Sequence, residues 1–138
     1  MTLHYIVPGD DFTRAGEASG DLKRKMKKLG FPSDVIRKVS IALYEGEINM
    51  VIHAYGGEIT AEISSSEIDL TLADTGPGIP DIEKAMQDGY STATEQVRNL
   101  GFGAGMGLPN MKKYTDEFHI ESEVGVGTTV KMKVYNHS

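Results

Sequence analysis

The sequence predicts an α+β fold, a two-layer sandwich in which a mixed, mostly antiparallel sheet carries its helices on one face. Three observations point there. Four segments alternate apolar with polar residues: Ile59, Ala61, Ile63; then Ile68, Leu70, Leu72; then Phe118, Ile120; then Val130, Met132, Val134. That is the pattern of strands with one buried face. Two other segments repeat apolar residues at helical spacing instead. A chain of 138 residues has room for one core, so both kinds of element must share it. Residues 1–138 therefore read as a single domain, without internal repeat or linker.

The elements follow in order. Leu3 to Val7 reads as a short strand ended by Pro8-Gly9, a turn pair. Asp10 or Asp11 then caps a helix running to about Leu29, with the apolar stripe Ala15, Ala18, Leu22, Met26, Leu29. Gly16 and Gly20 weaken its continuity, each by about 1 kcal/mol against Ala. The run Lys23-Arg24-Lys25-Met26-Lys27-Lys28 is its solvated end, and Gly30-Phe31-Pro32 stops it. Ser33 suits an N-cap and Asp34 a helix start. From there Val35, Val39, Ala42, Leu43 and Val51 mark one long helix to about Ala54, closed by Tyr55-Gly56-Gly57. An antiparallel hairpin turning at Ser64-Ser65-Ser66 comes next. A short helix is expected from Asp81 to about Met86, and a loop or lid without clear period from Gln87 to Gly107. Leu108 to Tyr114 returns to helix, and Val124-Gly125-Val126-Gly127 turns between the last two strands.

Composition narrows the function. Twenty acidic against fourteen basic residues give a net charge of −6, which argues against a nucleic-acid or anionic-membrane binder. With no Cys there is no disulfide framework, thiolate zinc site or cysteine nucleophile, and a reducing cytoplasm is the expected compartment. Met1 to Asp10 lacks a basic start and a signal-length apolar stretch, and no run approaches a membrane span.

Four polar or Gly-rich elements stand out. Glu45 and Asn49, four apart on the long helix, share one face. A carboxylate and an amide oxygen there can position a hydroxyl and a Mg²⁺ near a phosphate. Asp74-Thr75-Gly76-Pro77-Gly78 follows a strand. Its carboxylate can accept from an exocyclic amine such as that of adenine, while its glycines admit a flat ligand closely. Gly101-Phe102-Gly103-Ala104-Gly105-Met106-Gly107-Leu108-Pro109 opens a helix, so bare backbone amides meet a helix N-terminus, an anion site. Gly125-Val126-Gly127-Thr128 is a hairpin turn whose hydroxyl can touch a ligand. Each alone also fits a bland account: a solvated helix face, a turn, a flexible linker, a hairpin. Their joint occurrence does not. Other phosphate signatures fail, since the chain has no P-loop, no His-Arg-Asp or Asp-Phe-Gly marker, and no Gly-x-Gly-x-x-Gly. The four His show no ligand spacing.

The set Glu45-x3-Asn49, Asp74-x-Gly76-x-Gly78, Gly103-x-Gly105-x-Gly107-Leu108 and Gly125-x-Gly127-Thr128 resembles the Bergerat ATP-binding fold. This is the fold of the gyrase, chaperone, histidine-kinase and mismatch-repair (GHKL) ATPase superfamily. The resemblance covers roughly Val35 to Val134. The lone small domain is similar to the bacterial anti-sigma-factor and switch-kinase group, and Gly89-Tyr90-Ser91-Thr92 followed by Gly103-Ala104-Gly105 and Leu108-Pro109 looks most like its stress-signalling serine kinases. The resemblance implies ATP and Mg²⁺ as cofactors and a serine/threonine kinase acting on a small STAS-domain partner. A sigma factor as second partner and a homodimer belong to the same expectation. Glu45 would be the general base, Asn49 would bind Mg²⁺, and Asp74 would read the adenine amine with Gly76 and Gly78 giving room. Gly103, Gly105 and Gly107 would put amides on the phosphates, with Leu108 in the same motif and Lys112 nearby. Thr128 or Thr129 would complete the adenine pocket. Two residues depart from the pattern. Gly46 stands where the family more often has Ala, and Glu47 adds a charge that should face away from Glu45. The competing reading is a nucleotide-gated module that holds a sigma factor with little or no catalysis. Histidine kinases and mechanical ATPases would need further domains.

Overall fold

The computed structural model describes residues 1–9, 16–53, 56–74 and 107–136. In chain order the elements are β1 (Thr2–Pro8), α1 (Glu17–Leu29), α2 (Ser33–His53), β2 (Gly56–Ile63), β3 (Glu67–Ala73), α3 (Gly107–Lys113), β4 (Glu117–Glu123) and β5 (Gly127–Tyr135). The strands form one five-stranded sheet in the order β1-β2-β3-β5-β4, and every described pairing is antiparallel.

Alternation sets the register. Ile59 pairs with Leu72, Ala61 with Leu70 and Ile63 with Ile68, while Leu70 also faces Met132 and Leu72 faces Val130. Slipping any strand by one residue would turn these side chains to water. All are buried, and they share one core with Leu22 and Met26 of α1, Val39, Leu43 and Val51 of α2, and Leu108 and Met111 of α3. The opposite strand positions, among them Glu58, Thr60, Glu62 and Lys131, are exposed or half-buried. The helices thus cover one face.

The first helix departs from its expected bounds. Gly16 sits at φ 97°, outside the right-handed helical region, and α1 begins after it at Glu17. The expected cap at Asp10 or Asp11 and the residue Ala15 lie outside the described residues. Ala18, Leu22 and Met26 are buried as the stripe requires, whereas Leu29 is exposed. Leu29 ends the helix, and there the chain turns through left-handed Gly30. Gly30 N donates to Lys27 O and Phe31 N to Met26 O, both at 3.2 Å, a Schellman closure. Pro32 O accepts from Ile36 N at 3.1 Å, so Ser33 is already in the first turn of α2 rather than its cap. Tyr5 Oη donates to Asp21 Oδ2 at 2.7 Å, tying β1 to α1, and Lys25 pairs with the same carboxylate. Burial, then this bond, pushes the Tyr5 hydroxyl's pKa up. The expected helix from Asp81 and the loop from Gln87 lie outside the described residues, Gly107 excepted.

Candidate functional site

Helices α2 and α3 build one half of the site. Glu45 and Asn49 lie one turn apart on α2, and both are half-buried. Asn110 of α3 donates from Nδ2 to Glu45 Oε1 at 3.3 Å. Its neighbour Met111 is buried against Gly46. A Cβ on Gly46 would fall 3.2 Å from Met111 Sδ and 2.3 Å from Leu72 Cδ2. The bare glycine lets α2 lie close to both β3 and α3, so this departure from the family pattern is a packing feature and more than a helix weakness. Leu108 is buried in the first turn of α3, behind Gly107 at its start, and Lys112 is exposed in the last turn beside Lys113.

The ends of β3 and β5 build the other half. Asp74 N donates to Thr128 O at 3.0 Å, and Thr128 N donates to Asp74 Oδ1 at 3.2 Å. The half-buried carboxylate is therefore held by the backbone it pairs with. Thr128 is 9% exposed, and its hydroxyl lies 2.8 Å from Ser122 Oγ, which in turn donates to Gly127 O at 3.2 Å. Thr129 is half-buried opposite Ala73. The two halves meet over Gly57, where a Cβ would fall 2.4 Å from Met50 Cε and 3.1 Å from Asp74 Cα. Met50 follows Asn49, so the second half of α2 and the end of β3 converge there.

Gly76, Gly78, Gly103 and Gly105 lie outside the described residues. Among the described residues no three His, Asp or Glu gather around a possible cation. Mg²⁺ does not require such a cage, because it commonly takes one or two protein oxygens and completes its shell with water and substrate phosphates. The Asn49 amide, half-buried one turn along α2 from Glu45, suits that role.

Two residues take roles that the sequence did not assign to them. Asn110 carried no local signal, because its partner lies 65 residues away. Glu47 does face away from Glu45, yet it is 2% exposed, and its two oxygens accept from Ala18 N at 3.0 Å and Ser19 N at 3.1 Å. It caps α1 from α2, a task Gly16 has no side chain to do. A signal for this existed: Glu47 falls on the i+4 series Val39, Leu43, Val51, all buried. A cavity of about 590 Å³ opens on this other flank of α2, lined by Tyr5, Asp21, Arg24 and Glu47 among others. It contains none of the expected site residues.

Comparison with known proteins shows the family and the fold. The family described as histidine kinase-like ATPase domain matches residues 11–134. The chain is 39% identical over 105 residues to an anti-sigma F factor of Thermoanaerobacter sp. (strain X514), covering 72% of this chain and 70% of that protein. It is 35% identical over 109 residues to the serine/threonine-protein kinase RsbT of Bacillus subtilis (strain 168), covering 76% of each. In fold it is similar to the RsbU and RsbW domains of a Mycobacterium tuberculosis protein, with TM-score 0.65, 16% identity, and coverage of 97% of this chain and 32% of that one.

Proposed function

Because the chain belongs to the histidine kinase-like ATPase domain family, we propose that it is an ATP-dependent serine/threonine protein kinase of the anti-sigma-regulator type, acting on a small STAS-domain partner. The observation that carries this reading is the placement of Glu45 and Asn49 on one face of α2, with Glu45 held by Asn110. Similarity to a chain named a serine/threonine-protein kinase supports it.

In this reading Asp74, fixed through Thr128 N–H, accepts from the adenine amine, and Thr128 or Thr129 closes the pocket beside it. Gly76 and Gly78 give the ring room. Gly103, Gly105 and Gly107 offer amides to the phosphates, with Leu108 anchoring the helix behind them and Lys112 adding charge. Asn49 would hold Mg²⁺, which when bound neutralises phosphate charge and orients the γ-phosphoryl group. The partner's Ser or Thr oxygen forms a bond to the γ-phosphorus as the bond from that phosphorus to the β–γ bridging oxygen breaks. ADP leaves with the electron pair, and the hydroxyl proton passes to a Glu45 oxygen. Such a transfer depends mainly on positioning and charge neutralisation.

The test is transfer from γ-labelled ATP with Mg²⁺ into a native extract of the source organism. A discrete labelled protein band is expected with the wild type and none with Glu45→Ala. Equal labelling by both would refute Glu45 as base. A second reading is favoured by the relatives named anti-sigma F factor: a nucleotide-gated module that sequesters a sigma factor or other partner with little or no catalysis. It requires partner affinity to differ between ATP and ADP even in Glu45→Ala, and at most a faint labelled band from the wild type.

A further inference from the structure

We infer that Asn110 is a positioning residue for the Glu45 carboxylate, brought within reach by the missing side chain at Gly46. The inference rests on the reading of Glu45 as general base. Two adjacent contacts join α2 to α3 in register: Asn110 to Glu45 through a 3.3 Å hydrogen bond, and Met111 against Gly46. The second sets up the first. Met111 is fully buried, and its sulfur already stands 3.2 Å from where a Gly46 Cβ would be. A side chain there would meet Leu72 Cδ2 of β3 at 2.3 Å as well as Met111 of α3, so it would wedge α2 from both neighbours and disturb the register that brings Asn110 to Glu45.

The chemistry of the pair is directional. An ionised carboxylate only accepts, so the Asn110 amide must present its NH₂ to Glu45 Oε1. That bond restricts the glutamate rotamers, which a half-buried Glu would otherwise sample. It occupies one oxygen and leaves proton acceptance from a partner hydroxyl to the other. Asn110 itself has no group that takes up a proton near neutral pH, so it orients the base without competing with it.

The experiment follows label transfer from γ-labelled ATP with Mg²⁺ into the extract acceptor, using the full chain and its Asn110→Leu, Asn110→Asp and Asn110→Gln variants. Leu keeps the branched shape of Asn without a donor, Asp also repels Glu45, and Gln retains the NH₂. At saturating ATP the initial rate should fall about tenfold or more in Asn110→Leu and further in Asn110→Asp. Asn110→Gln should recover part of the loss. The KM for ATP should stay within about twofold of wild type, because the orienting contact is not a binding contact, and the loss of rate should exceed what any fall in melting temperature of Asn110→Leu accounts for. Wild-type transfer by Asn110→Leu overturns the assignment alone. So does an equal loss in Leu and Gln variants that tracks a drop in melting temperature, the mark of a merely structural role. A wild type that transfers no label overturns the base reading of Glu45, and the assignment falls with it.

Discussion

At the scale of single residues, carboxylates make several of the pairings that join the described elements, and their sequence context only partly reveals it. Glu45 and Asn49 were legible because two polar residues four apart must share a helix face. Glu47 was legible only in hindsight, as a charge on an otherwise apolar i+4 series. Its role came from a helix 28 residues upstream whose first N–H groups needed an acceptor. Replacing it with Gln should cost about 1–3 kcal/mol, since an amide satisfies one N–H and turns its own NH₂ toward the other. Urea unfolding of Glu47→Gln measures this, and an unchanged midpoint would refute the capping role. Asp21 gives a pH signature. The Lys25 ammonium first, and then the Tyr5 hydroxyl, hold its carboxyl below its ordinary value of 3.8. A lowered folded-state pKa means that the stabilisation is fully present above the ordinary value and is lost as pH falls through the folded one. Asp21→Asn should therefore be less stable than wild type at pH 7, and the gap should close in the acid range below about 3.8. A gap that persists there would show that the ion pair is not its source.

At the scale of elements, period decided what could be read. Strands β2, β3 and β5 appear where alternation placed them, because one buried face leaves a single register. The start of α1 was misplaced because the apolar stripe says nothing of a left-handed Gly16. Stripe spacing likewise put Leu29 inside, although the helix ends there and turns away at Gly30. The packing of α3 on α2 could not be read locally at all. Its only trace was Gly46, which looked like a defect while its partners Leu72 and Met111 were unknown. Gly46→Val should lower stability by about 1–3 kcal/mol through overpacking, despite Val's slightly better helix propensity. It should also slow phosphate transfer by moving α3. A Val variant that melts and transfers like wild type would contradict the close approach.

At the scale of the molecule, one sheet brings together residues that are far apart in sequence. Asp74 and Thr128 are 54 positions apart and exchange bonds across β3 and β5. Glu45 and Asn110 are joined by the packing of α2 on α3. The order of the motifs pointed to Asp74 and Thr128 lying together, whereas the bonds that hold them, and the contact of Glu45 with Asn110, were not written in any one segment. A nucleotide held this way must stabilise the whole fold. MgATP at one hundred times its Kd should add about 2.7 kcal/mol, a rise of several degrees in melting temperature. The rise should persist in Glu45→Ala and shrink in Asp74→Asn.

The proposed function divides labour within one site, with Asp74 binding the nucleotide and Glu45 performing the proton transfer. Single-turnover transfer from γ-labelled ATP, with ATP affinity measured by calorimetry on the same wild-type, Glu45→Ala and Asp74→Asn proteins, tests it most directly. Glu45→Ala should bind ATP as the wild type does and transfer about a hundredfold more slowly or worse. Asp74→Asn should bind ATP about tenfold or more weakly, because its amide can present an NH₂ where the adenine amine needs an acceptor. Undiminished transfer by Glu45→Ala, or undiminished ATP affinity in Asp74→Asn, would contradict the account.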